Sequence, residues 1–407
     1  MKHFTTFSLA LLAAGLAEGA RDPNHYNARP FHIDLESRVP RMLSLAKDTR
    51  IPETPIYPGL GSSAGIDTKV LNDLRHQWLT KFDWKKEQKE MNQFNHYLAD
   101  IEGQTIHYIH EKSSEPNAIP LLLLHGWPGS FLEFVPVIES LTQTAKTSTG
   151  KTVSFDVIVP SLPGFAFSSS APANWTTDDT AGVFNTLMTK ILGYKTFAVH
   201  GTDWGAAPTY TLYANYTETV RAAHLVFLPV LPPTTSNVTL TPLEQFEQQR
   251  ANEWATTGNG YFVEQSFQPN TIGLALQDSP VGQLSWIGEK MIVWSDPRAG
   301  TPPSVITHNE ILRSVSLYYL TQSFLSSVFI YFQNPEDFRT TYTKADTDAP
   351  LLFSSFKYNV GFWPREFVAK VGNLVFYNNH DFGGHFPGLD NPPALIGDLR
   401  EIGEYWK

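Results

Sequence analysis

The chain has 407 residues and no cysteine. That absence excludes disulfides, a thiol nucleophile and thiolate metal sites together, so covalent chemistry falls to other side chains. Charge is scarce as well: Asp, Glu, Lys and Arg make up 17% of the residues, with 40 acidic against 30 basic. The resulting net charge of −10 repels phosphate backbones and anionic membrane surfaces, which argues against nucleic acid as a partner. Repeats, low-complexity segments, phosphate-binding glycine loops and clusters of metal ligands are missing too, so no cofactor is expected. An uncharged stretch from Phe4 to Ala17 follows a basic start and ends in small residues. It is shorter than the ~20 residues of a transmembrane helix, so the reading is a signal peptide over residues 1–19, with no stable membrane anchor expected.

What the chain does have is apolar and aromatic bulk. Hydrophobic residues make up 42%, including 27 Phe, 16 Tyr and 10 Trp, enough for a large core and against disorder. Three Asn-x-Ser/Thr triplets, at Asn174, Asn215 and Asn237, are glycosylation candidates that fit passage through the secretory route, so secretion or a secretory-pathway lumen is the expected location.

Apolar runs that end in Gly- or Pro-rich turns mark the organisation. "IPLLLLHGWPGS" (119–130), "SFDVIVPSLPGF" (154–165), "YKTFAVHGTDWGAA" (194–207) and "AAHLVFLPV" (222–230) each join a continuous apolar strand to a loop. Strands of this kind are buried on both faces, as in a parallel sheet covered by helices. The amphipathic stretches between them, such as "SFLEFVPVIESLTQ", read as crossover helices, so the class is α/β. Two more strand candidates, "PLLFSSFKYN" (350–359) and "NLVFYNN" (373–379), come after a gap rich in Trp, Tyr, Phe and Gln at helical spacings, read as a helical lid.

The chemistry concentrates at "HGTDWGA", residues 200–206. A sharp strand-to-helix turn of the form small-x-nucleophile-x-small lifts one side chain out of the sheet, and here Asp203 stands at the tip between Gly201 and Gly205. The "HGWPGS" loop can present the Trp127 N–H, and the N–H of Trp204 follows the nucleophile, so the two form an expected oxyanion hole. Near the C-terminus "NNHDFGGHFPG" offers His385, preceded by Gly383 and Gly384, as general base, with His380 the competing histidine. An orienting acid is expected from the loop after the preceding strand. "GFWPREF" supplies Glu366 there, with Asp346 and Asp348 as alternatives. The chain order nucleophile, acid, histidine is the order of the hydrolases built on this turn.

These stretches together resemble the microsomal-type epoxide hydrolases, which are related to the juvenile-hormone epoxide hydrolases. The likeness runs through "KFDWKKEQKEMNQFNHYLADIEGQTIHYIH" (81–110), "HGWPGS", "VPSLPGFAFS", "HGTDWGA", "TIGLALQDSPVGQLSWIGEK" (271–290) and "GGHF". Two departures stand out: Thr202 replaces a customary Gly, and the interval from Glu366 to His385 is short. The resemblance implies an α/β-hydrolase fold with a mostly parallel central sheet. It divides the chain into an N-terminal wrapping region at 20–110, core segments at 111–229 and 336–407, and a helical lid at 230–335. It also implies that Tyr261 and Tyr331 donate to the epoxide oxygen, and that the partner is a small apolar epoxide; a homodimer is left open.

An aspartate nucleophile independently suits displacement at a saturated carbon, which forms an alkyl ester, where a serine suits a carbonyl. Haloalkane dehalogenation, epoxide-opening cyclisation and non-catalytic binding on a hydrolase scaffold are the competing readings.

Overall fold

The computed structural model describes residues 26–230, 238–335 and 343–407. The signal-peptide reading at 1–19 and the glycosylation candidate Asn237 lie outside the described residues. Among the described residues, no helix is long and apolar enough to cross a membrane.

The N-terminal segment opens with β1 (Arg29–Phe31) and continues through helices α1 (Val39–Asp48), α2 (Thr68–Thr80) and α3 (Trp84–Met91). Strands β2 (His96–Ile101) and β3 (Gln104–Glu111) then lead into the apolar runs, which become β4 (Ile119–Leu124), β5 (Phe155–Pro160), β6 (Phe197–Gly201) and β7 (Val220–Leu225). Between these four lie α4 (Val135–Thr142), α5 (Thr177–Thr186) and α6 (Ala206–Asn215). Helices α7 (Pro242–Glu253), α8 (Gly260–Phe267), α9 (Pro269–Gln277), α10 (Pro280–Val293), α11 (His308–Thr321) and α12 (Phe324–Gln333) follow. The chain then returns to the sheet as β8 (Pro350–Tyr358), α13 (Arg365–Val371) and β9 (Asn373–Gly384).

The nine strands named above form one sheet in the order β1-β2-β3-β5-β4-β6-β7-β8-β9, and a separate two-stranded sheet pairs Ala145–Lys146 with Thr152–Val153. From β5 to β9 every neighbouring pair is parallel, whereas β1, β2 and β3 join antiparallel at one edge. All residues of β4 and β6 are buried, as continuous Leu, Val and Ala runs covered on both faces require. Parallel strands place all their C-terminal ends on one edge, and the loops that carry a site gather there.

Helices α1 to α3 do not pack on the sheet alone; they also hold the lid. Trp78 of α2 is fully buried and donates its indole N–H to Ser316 Oγ of α11 at 3.0 Å. Arg38 reaches the Leu320 carbonyl at 2.7 Å. Arg313 of α11 pairs with Glu310 at 2.6 Å and with Glu87 of α3 at 3.7 Å, and Asn309 donates to Glu87. These buried charges are all partnered, which satisfies the requirement for taking them out of water. The lid helix is thereby fixed from two sides. Replacing Trp78 with Ala removes a large buried ring and one of these ties. The expected loss is about 3 to 5 kcal/mol in denaturant unfolding, with activity falling as the lid loosens.

Candidate active site

The turn after β6 puts Asp203 in the left-handed backbone region, at φ +42°. A non-glycine residue is held there only when its surroundings determine the backbone, and such residues cluster at functional sites. Close packing supplies that determination. A Cβ on Gly205 would come within 2.3 Å of the Leu124 carbonyl oxygen, so only glycine lets the turn sit against β4. A Cβ on Gly126 would come within 2.2 Å of Asp203 Oδ1 and 2.5 Å of the Trp204 nitrogen. The loop after β4 therefore approaches the carboxylate through a residue with no side chain.

That approach makes the two carboxylate oxygens unlike. Oδ1 accepts the Trp127 N–H at 2.7 Å. The loop that presents this donor is held by His125, whose Nε2 accepts the Leu162 N–H and whose Nδ1 meets the Gly126 carbonyl. Burial pushes the His125 imidazole down to about 4, so it is neutral, as that bonding pattern requires. Beneath the turn, Thr202 donates to Glu133, whose carboxyl is pushed well above the usual range by its burial. Oδ2 faces the other way: His385 Nε2 stands 3.4 Å from it and makes no hydrogen bond.

His385 follows β9 directly. Its backbone N–H donates to the Trp294 carbonyl at 2.8 Å, and its ring is boxed by Trp294, Phe227 and Phe386. The competing His380 lies further back on β9, bonded to Asp398 at 2.5 Å and stacked on Phe356, and takes no part in the site.

The acid expectation requires correction. Glu366 lies exposed in the first turn of α13 and does not touch His385. Asp346 and Asp348 are also exposed and precede β8, at the end of the sheet opposite the nucleophile. The partner of His385 Nδ1 is instead Asn359 Oδ1 at 2.8 Å, from the first residue after β8. The loop was rightly placed, but its functional residue stands at the strand tip, where the chain is still positioned by the sheet. Glu366 stands seven residues further on, past Pro364, which caps α13 and turns its first residues to solvent.

Over the carboxylate, Tyr261 of α8 stacks on Trp127 at 5.3 Å, and Tyr331 of α12 meets Trp204 at 4.8 Å and Trp127 at 5.8 Å. Both phenols are buried and lie against each other, with ring centroids 6.0 Å apart. Burial, reinforced by the Asp203 charge, holds both well above the usual phenol range, so both keep their protons. Tyr318 of α11, which no sequence signal singled out, donates to the Gly129 carbonyl at 2.7 Å and props the same loop. Trp204 is shared with a separate cavity of about 710 Å³ between α12 and the loop after β5, lined in part by Leu162, Phe329 and Ile330. Asn174 is exposed at that cavity, and Asn215 is exposed at the end of α6.

The histidine loop is latched to the lid by Asp390, which accepts from the Asp296 N–H and from Ser304. Burial raises its carboxyl from 3.8 to about 6. Because the folded value is the higher one, this group's contribution is full below 3.8 and is lost as pH rises through about 6, a change of roughly 3 kcal/mol at most. Asp390→Asn should flatten that part of the pH dependence of unfolding between pH 4 and 7, read as the difference from wild type. Gly126→Ala should abolish turnover and lower stability by about 1 to 3 kcal/mol in denaturant unfolding, because the added methyl overlaps both the Asp203 carboxylate and the Trp204 backbone nitrogen.

Residues 28–134 match the family described as the epoxide hydrolase N terminus, and residues 119–269 match the alpha/beta hydrolase fold. The structure is similar to that of Aspergillus niger epoxide hydrolase, with a TM-score of 0.81 and 32% identity over 93% of this chain and 96% of that one. It is similar also to juvenile hormone epoxide hydrolase from the silkworm Bombyx mori, with a TM-score of 0.82 and 26% identity over 93% and 95%. In sequence it is 30% identical to epoxide hydrolase 1 of Sus scrofa, over 92% of this chain and 88% of that protein. With likeness of this degree along nearly its whole length, the chain belongs to the epoxide hydrolase family, on the α/β-hydrolase fold.

Proposed function

We propose that this enzyme converts a small apolar epoxide to a vicinal diol through an ester on Asp203. The observation that carries the reading is the unequal carboxylate: Oδ1 tied to the Trp127 N–H, Oδ2 free beneath two protonated phenols. Oδ2 attacks an epoxide carbon, the ring C–O bond breaks, and the oxygen takes a proton or hydrogen bond from Tyr261 and Tyr331. Water then attacks the ester carbonyl carbon and gives its proton to His385 Nε2. The oxyanion that forms on Oδ1 is held by the Trp127 N–H and by the neighbouring N–H of Trp204. Collapse expels the Oδ2–carbon fragment, whose oxygen takes the proton from the imidazolium to give the diol. The second proton of the water, left on the new Asp203 carboxyl, passes to the phenolate or alkoxide formed on ring opening, which restores the carboxylate and both phenols.

The apolar walls at Trp204, Phe262 and Trp294 support an apolar substrate. A haloalkane would need its leaving halide held and no proton supplied, so the paired phenols favour an oxygen leaving group. Passage through the secretory route belongs to the same proposal; its support is the N-terminal sequence pattern and the exposure of Asn174 and Asn215.

Intact-mass spectrometry of His385→Gln mixed with apolar epoxides checks the reading. An adduct equal in mass to the epoxide is expected, absent in Asp203→Asn. Labelling by haloalkanes and not by epoxides would transfer the assignment to dehalogenation. Tyr331→Phe should lower the alkylation rate by about 10²-fold and leave ester hydrolysis nearly unchanged.

A further inference from the structure

The ring nitrogen of His385 that faces away from the nucleophile meets an amide and not a carboxylate. Asn359 Oδ1 lies 2.8 Å from Nδ1, and the orientation of that amide is fixed by two backbone groups. Its Nδ2 donates to the Val226 carbonyl at 3.1 Å, and its Oδ1 also accepts the Val360 N–H at 2.8 Å. Reversing the amide would set oxygen against oxygen at Val226 and nitrogen against nitrogen at Val360. Oδ1 is therefore an acceptor, His385 Nδ1 carries the proton, and Nε2 presents its lone pair toward Asp203. The Val226 carbonyl also shows that the pocket is built for an amide, because an ionised carboxylate there would face it without a donor.

Among the described residues, Asp203 is the only carboxylate within 4.0 Å of the His385 ring nitrogens. The other groups packed on the ring are uncharged: Trp294 after α10, Phe227 after β7, and Phe386 in its own loop. Asp296 and Asp390 reach backbone amides of the lid and histidine loops and not the imidazole.

We infer that Asn359 is the positioning residue of His385, fixing its tautomer through a neutral hydrogen bond in the place where an acid would stand. This inference rests on the epoxide hydrolysis proposed above. A neutral acceptor orients the ring as a carboxylate does but stabilises the imidazolium less, since charge-assisted hydrogen bonds are roughly twice as strong as neutral ones. The step that forms the imidazolium is ester hydrolysis, whereas alkylation of Asp203 does not use it. The neutral partner therefore bears on the rate of ester decay and not on the rate of alkylation.

The test follows alkylation and ester decay separately, by rapid acid quench and intact mass, in wild type, Asn359→Ala, Asn359→Asp and Glu366→Gln. Asn359→Ala should slow decay by about 10²-fold with alkylation unchanged, and Glu366→Gln should alter neither rate. In Asn359→Asp the anionic partner favours the imidazolium, so the acid limb of the decay rate should move up by about 1 to 3 pH units, a shift that a purely structural role would not cause. Decay at the wild-type rate in Asn359→Ala, an unmoved limb in Asn359→Asp, or slowed decay in Glu366→Gln would each overturn the inference. Absence of ester in every protein would instead count against the epoxide reading. The Nδ1-bound proton of His385 in a ¹⁵N–¹H spectrum, present in wild type and lost in Asn359→Ala, tests the tautomer assignment without any substrate.

Discussion

The Trp127 N–H on Asp203 Oδ1 is the contact around which the site is arranged. It makes one carboxylate oxygen a future oxyanion and leaves the other as the nucleophile, so a single 2.7 Å hydrogen bond separates the two roles of one side chain. The contact exists because Gly126 lets the loop come close and because the turn after β6 holds Asp203 at φ +42°. The neutral His125, the buried Glu133 and Tyr318 in turn hold the loop and the turn. A change in any of these acts on the chemistry by moving the donor, not by removing a reacting group.

Exclusion of water is the second requirement, and the lid supplies it. Buried phenols over a buried carboxylate stay protonated, which makes them donors to an opening epoxide and poor bases toward anything else. The lid is not free to drift, since α2 and α3 of the N-terminal region tie α11 through Trp78, Arg313 and Glu87. The described part of the N-terminal region thus ties the lid through α11, with no hydrogen bond or ion pair to Asp203. Its role is to hold the roof.

Much of this was legible in the residues. Four continuous apolar runs became parallel strands of the sheet interior, because strands buried on both faces carry no polar alternation to disguise them, and the two later strand candidates joined them as β8 and the edge strand β9. The nucleophile turn and the histidine loop were legible because each needs glycines at fixed places. Strands β1 to β3 were not, since they join an antiparallel edge and carry polar and aromatic residues that read as wrapping segments. Glu366 misled because it is an acid in the loop after the preceding strand, whereas Pro364 starts α13 there and leaves its first turn exposed. Asn359 was missed because an asparagine at a strand end carries no signal of its own; only the Val226 carbonyl and the His385 ring give it a role.

The central claim is that the carboxylate, and not water, opens the substrate. A single turnover in ¹⁸O-labelled water, with enzyme in excess over epoxide, tests it most directly. The account predicts that the diol of this first turnover carries an unlabelled oxygen from Asp203, and that the label appears in the peptide containing Asp203. Label in the first-turnover diol, with Asp203 unlabelled, would contradict it and make His385 the base for direct attack of water on the epoxide.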